Sequence, residues 1–299
     1  MPVSVPDTSD SGDPIATFRL TQSVAIQWVL TSVVGFFAFA YCFAFVLAAI
    51  RGTSLEPIVV TGTALPGSGL WLLAAGGLLV LVVVPHELLH GAFMARYADS
   101  PSYGVGVSHF VLPYAYAQTR NASYTRNQLL VVLLAPFTII SVVGLLAMAI
   151  YPSPLLIVPL AANAAGSIGD LWMAGVLCQY RADVRVSGHP QPGAQGFAVY
   201  SPAGTTVERL PGATILATAV TGAVGTLAVS TTVLVGLVFQ SLAFGSGSLV
   251  VDPNGWTVLR HELRPDGTAA IEIGGRVLAA LALTGGVAWA VLTMAWRSR

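Results

Sequence analysis

Six long apolar runs alternate with polar segments along the chain. They lie at roughly 22–50, 69–97, 128–151, 154–180, 212–243 and 276–296. Each is long enough to cross a bilayer core as a helix, which takes about 20 apolar residues. The polar segments fall at 51–68, 98–127, 181–211 and 244–275, and Tyr151-Pro152-Ser153 makes a tight turn between the third and fourth runs. The pattern predicts an all-α polytopic membrane protein with about six transmembrane helices.

Some of the polar segments carry a second periodicity. Residues 102–119, "SYGVGVSHFVLPYAYAQT", mix aromatics, Val and Gly in partial alternation, which predicts a short β-hairpin beside the membrane. Residues 196–201 and 247–273 also predict short extramembrane strands, the latter with a turn at Pro265-Asp266-Gly267. Residues 1–21 are polar and lack the basic start and cleavage pattern of a signal peptide, so a disordered tail is expected there. The predicted organisation is therefore this tail, a four-helix core over 22–180, and two further helices with small extramembrane segments over 181–299.

Composition supports the membrane reading. Of 299 residues, 55% are hydrophobic and 9% charged, against roughly a quarter charged in soluble domains. The 13 basic residues are all Arg and balance 13 acids, which leaves no basic footprint for nucleic acid. The expected surroundings are instead the lipid bilayer and a membrane-protein or peptide substrate. No feature selects an oligomeric state. Cys42 and Cys178 both sit in apolar runs, where core positions are expected rather than a disulfide. Tyr180, Trp71 and Trp296, near run ends, suit interfacial anchoring.

Arginine placement predicts an orientation. With the N-terminus in the cytoplasm, nine arginines (19, 96, 120, 126, 181, 185, 209, 297 and 299) fall inside and four (51, 260, 264 and 276) outside. The positive-inside rule then puts both termini in the cytoplasm, most simply at the cell membrane.

The chemistry lies in the second run. His86-Glu87-Leu88-Leu89-His90 places two imidazoles at i and i+4, on one helix face and within reach of one metal ion. Glu87 lies one residue further round, where it can face a metal-bound water. Polar groups satisfied at a membrane-helix end would leave the same residues, but ionisable clusters at that depth are rare and costly without a function. Zinc suits imidazole and carboxylate ligands, and a catalytic site leaves one position for water.

A third ligand has few candidates. Asp170 is the one other acid within the predicted helices away from their ends, and a buried lone acid needs a partner. Counted from starts near 69 and 154, His86 is 17 residues in and Asp170 is 16. At about 1.5 Å per residue both lie roughly 25 Å along helices running in the same direction. Asn163, seven residues before Asp170, shares nearly its face and can orient a substrate, support a ligand, or simply bond a neighbouring helix. Pro85 removes a helix hydrogen bond beside His86. The small residues of 161–169 permit close helix approach.

The sequence "HELLHG" with a distant "NAAGSIGD" resembles the membrane zincin peptidases over roughly 69–180, a group similar in layout to the site-2 protease class of intramembrane metalloproteases. The resemblance implies Zn2+ bound by His86, His90 and Asp170, with Glu87 as general base in peptide hydrolysis. The order Gly169-Asp170-Leu171 differs from the Leu-Asp-Gly usual in site-2 proteases. The function expected is a zinc-dependent membrane-embedded endopeptidase acting at or within the cytoplasmic leaflet. A non-proteolytic zinc scaffold or a transporter-like protein is the alternative, although the internal repeats common in transporters are not apparent. Of the other histidines, His109 falls in the predicted hairpin with a surface role expected, His189 in a Pro/Gly-rich solvated loop, and His261 on the opposite side of the membrane.

Overall fold

The computed structural model describes residues 13–55, 58–60, 68–98, 100–107, 113–119, 122–191, 194–202, 209–243, 248–253, 256–263 and 269–297. Its long helices are α1 (Gln22–Arg51), α2 (Ser68–Tyr97), α3 (Arg126–Ile150), α6 (Pro211–Ala243) and α7 (Gly275–Arg297). Among the described residues, five helices are long and apolar enough to cross a membrane. The pair α4 (Ile157–Gly166) and α5 (Ile168–Leu177) is together apolar enough for a sixth, broken span or a re-entrant loop. The long helices are apolar over most of their surface, as lipid requires. Leu30 (62% exposed), Phe37 (61%) and Leu81 (64%) stand on the outside, where hydrocarbon takes the place of a protein core.

The helix boundaries follow from local hydrogen bonding. α1 stops at Gly52, whose φ of +66° is a left-handed conformation that glycine adopts at little cost. Gly52 N–H bonds Ala49 O (3.2 Å) and Thr53 N–H bonds Ala48 O (2.9 Å), closing the last turn in a Schellman motif. α3 starts with a capping box: Gln128 N–H donates to Thr125 Oγ1 (3.3 Å) and Thr125 N–H to Gln128 Oε1 (2.9 Å).

The fourth span departs from the single helix expected over 154–180. It breaks at Ser167, with a bend of 41° between the halves. Ser167 Oγ donates to the Asn163 carbonyl at 2.8 Å, which Ser167 N–H also reaches at 2.9 Å. Such back-bonding widens the turn and bends a helix, and Gly166 beside it adds no side chain to resist. The helix also ends at Leu177, earlier than expected.

Contacts divide the chain into two units. The first comprises residues 1–33, 80–145 and 162–214. It holds the antiparallel sheet β1 (Ala16–Arg19), β7 (Gly196–Tyr200), β6 (Arg185–Gly188), β5 (Ser123–Thr125), in that order, and the hairpin β3 (Ser102–Val107)–β4 (Pro113–Gln118). The predicted hairpin over 102–119 is therefore present, with Tyr103 opposite Ala117. β1 lies within the segment expected to be a disordered tail; it is ordered by pairing with β7, Ala16 opposite Val199 through Arg19 opposite Gly196. The sheet packs on the helix ends through Leu133, Leu177, Val184, Val186, Phe197 and Val199. Tyr180 also belongs to this core, 3% exposed, with Arg209 Nε donating to its hydroxyl at 3.1 Å. It is thus not an interfacial anchor.

The second unit comprises residues 34–79, 146–161 and 215–299. It carries a four-stranded antiparallel sheet ordered β2 (Ile58–Val60), β10 (Ala269–Ile273), β9 (Leu259–Leu263), β8 (Ser248–Val251). The turn predicted at 265–267 lies outside the described residues. α6 and α7 pack where Gly222 meets the Trp289 side chain and Gly285 meets Thr226, the small-residue contact that membrane helices use. His261 is wholly buried on β9, with Nδ1 3.0 Å from Ser241 Oγ. Cys42 and Cys178 are free, and both are exposed rather than in the core.

Candidate metal centre

The site is built inside the first unit from α2, α3, α4 and α5. His86 and His90 are one turn apart on α2, 9% and 7% exposed, with ring centroids 4.9 Å apart and planes at 77°. Asp170 enters from the first turn of α5, just beyond the Ser167 bend. Its Oδ2 lies 3.5 Å from His86 Nε2 and 3.3 Å from His90 Nε2. The sequence brought forward these three residues, and the structure brings them together: their ligand atoms all fall within 4.8 Å of one another. An acid in the first turn of a helix also lies in the favourable end of its dipole.

The outer nitrogens of both rings are held by carbonyl-type acceptors. His90 Nδ1 donates to Val132 O at 2.9 Å. His86 Nδ1 lies 3.0 Å from Asn163 Oδ1. The Asn163 amide orientation is fixed because its Nδ2 donates to Pro136 O at 3.3 Å, and a carbonyl can only accept. Asn163, 2% exposed, therefore supports a ligand rather than facing a substrate. With each Nδ1 carrying the proton, each neutral ring presents a bare Nε2 lone pair, and the two lone pairs face a carboxylate oxygen.

That donor set tests the fit to zinc. Three acceptors converging in a buried place repel one another unless a cation lies between them. Tetrahedral zinc with arms of about 2.0–2.1 Å separates its ligand atoms by about 3.4 Å, in line with the 3.3 and 3.5 Å contacts. Imidazoles whose second nitrogen donates to a carbonyl are also the usual arrangement of metal-bound histidine. The residues fit the metal.

A missing group in α3 favours this arrangement. In an unbroken helix the N–H of residue 136 would occupy the carbonyl of residue 132. Residue 136 is proline, inside α3, and has no N–H to give. Val132 O is thereby left for His90.

Glu87 is half-buried beside the histidines, and the Ala117 backbone N–H on β4 donates to its carboxylate. Gly91, one turn beyond Glu87, admits the Tyr103 hydroxyl, which a Cβ there would strike. The hairpin thus rests on the Glu87 face of α2.

Behind Asp170, an aromatic cluster fixes α5. Phe18 of β1 lies 4.6 Å from Trp172 and 5.4 Å from Phe197 by ring centroids, and Trp28 lies 5.8 Å from Trp172. A Cβ on Gly169 would meet the Trp28 ring at 2.9 Å, so the residue before Asp170 must be this small for Trp28 to close on it.

Several of these contributors escaped sequence reasoning. Val132 and Ala117 act through backbone groups, which leave no side-chain signature. Pro136 in an apolar run was a visible signal. Phe18 lay in the presumed tail. His189, expected in a solvated loop, is partly buried and lines a cavity beside the site. His109 lies outside the described residues.

His86 and His90 of H-E-x-x-H, together with Asp170 from a second helix, form a buried cluster that could hold a metal ion, within a chain whose helices are long and apolar enough to cross a membrane. Residues 79–185 match the model of a family described as "Putative zincin peptidase", close to the 69–180 over which the resemblance was drawn. No curated protein and no solved structure matches the chain.

Proposed function

We propose that the protein is a zinc-dependent endopeptidase embedded in the cell membrane, with both termini cytoplasmic and its site at the cytoplasmic leaflet. The observation that carries this reading is the convergence of His86 Nε2, His90 Nε2 and Asp170 Oδ2, with Glu87 alongside. The family match supports peptidase chemistry, and the nine-to-four arginine distribution supports the orientation.

His86, His90 and Asp170 would hold the ion. An ion held there would supply Lewis acidity that activates water and polarises a substrate carbonyl. Glu87 takes the proton from the attacking water and hands it to the leaving amine. Asn163 and Val132 O keep both imidazoles in the tautomer that leaves Nε2 free. The Ala117 N–H orients the Glu87 carboxylate. A helical substrate has its carbonyls occupied, so it must unwind first; the extended segment can then lie along β4 through main-chain hydrogen bonds.

Hydrolysis of an unstructured peptide by the zinc-loaded protein tests the reading. Glu87→Gln is expected to lower turnover by at least a hundredfold while keeping one zinc per chain. Full turnover in that variant would overturn the role of Glu87, and no hydrolysis by the wild type would favour a zinc-holding scaffold.

A further inference from the structure

A cavity of about 800 Å³ lies in the first unit beside the site, lined by neighbours of the ligand residues rather than by His86, Glu87, His90 or Asp170 themselves. Four of its lining residues are tied to the catalytic groups. Met94 is one turn beyond His90, Met173 three residues beyond Asp170, Leu133 follows the Val132 that holds His90, and Ala117 supplies the amide on Glu87. The far wall is the β6–β7 hairpin, including Ser187, His189, Gln191 and Phe197. Much of that wall lies beyond residue 185, outside the family match.

The lining has a distinct chemistry. Among the described residues no Arg, Asp or Glu faces the cavity. Met94, Leu129, Leu133, Met173 and Phe197 give it an apolar side, and Gln118, Gln191 and Gln195 an uncharged polar one. Methionines on two elements make the apolar side adaptable to linear or branched side chains. A charged side chain entering here would meet no carboxylate or guanidinium, and the His189 imidazole is the one ionisable nitrogen in the wall among the described residues. A free chain terminus would meet the same lack, so nothing in this wall selects an end of the chain.

We propose that this cavity is the substrate vestibule, and that it takes an internal, extended, uncharged polypeptide segment with a bulky apolar side chain beside the scissile bond. The inference rests on the peptidase reading above and adds the substrate class. Peptides would enter over the β6–β7 hairpin, between it and β4, with the apolar side chain seated among Met94, Leu133 and Met173.

The test uses the full-length zinc-loaded protein in detergent micelles. Fluorescent ten-residue peptides with a central Leu, Glu or Arg, each with free or blocked ends, are titrated into the Glu87→Gln variant by anisotropy and offered to the wild type for cleavage. The Leu peptide is expected to bind at least tenfold tighter than the other two, with blocked and free ends within twofold. Gln191→Arg, which places a cation on the exposed side of the wall, is expected to raise the Glu peptide relative to the Arg peptide at least fivefold. Equal binding across the set, or no change of preference in Gln191→Arg, would overturn the vestibule even if the wild type cleaves. Binding with the expected preference but no cleavage by the wild type would uphold the vestibule and overturn the peptidase reading.

Discussion

Pro136→Ala is a small change whose effects on stability and on metal binding should have opposite signs. Alanine restores an N–H four residues after Val132, which would donate into the helix. His90 Nδ1 now holds that same carbonyl at 2.9 Å. Removing a partner of a metal-bound histidine typically costs 10–100-fold in affinity, or about 1.4–2.7 kcal/mol. Proline in a helix interior is disfavoured relative to alanine by about 3 kcal/mol, so the metal-free variant gains helix stability. Zinc affinity, measured by competition with a chromophoric chelator, is expected to fall 10–100-fold. Thermal unfolding of the zinc-free form is expected to move up or hold steady. A variant that binds zinc within twofold of wild type would refute the claim that the vacated carbonyl positions His90. A loss of affinity accompanied by a lower unfolding temperature would point to general damage instead.

Asn163→Ala removes the acceptor from His86 Nδ1 and should weaken zinc 10–100-fold by the same titration. Gly169→Leu drives a side chain into Trp28, which a Cβ alone would meet at 2.9 Å; zinc affinity is expected to drop and Trp28 to become more accessible to a fluorescence quencher. Thr125→Ala breaks the capping box of α3 and should cost about 1 kcal/mol of stability with zinc affinity unchanged. Chelation should lower the unfolding temperature reversibly, with the loss growing as the logarithm of the factor by which free zinc is lowered while it stays above its dissociation constant.

How much was legible in the sequence follows from the physics of each element. The five long spans were readable because lipid demands an unbroken apolar run. The β3–β4 hairpin was readable through alternation, and His86, His90 and Asp170 because charged and ionisable groups are costly in such runs. The bend at Ser167 was not, since apolar periodicity is the same on either side of it and only the hydroxyl bond to Asn163 O creates it. β1 was hidden for another reason: four residues have no strand signal of their own and order only on β7, far along the chain. Tyr180 reads as an anchor by position, yet Arg126 Nη1 donates to its carbonyl and Arg209 to its hydroxyl, and these bonds permit its burial.

The most direct measurement is the zinc content of purified wild type and Asp170→Ala. A caged ion predicts one equivalent of zinc in the wild type and less than a tenth in the variant, with its unfolding temperature matching that of the chelated wild type. Full zinc occupancy in Asp170→Ala would contradict the account, because two histidines on one helix would then be holding the metal without the carboxylate that faces them.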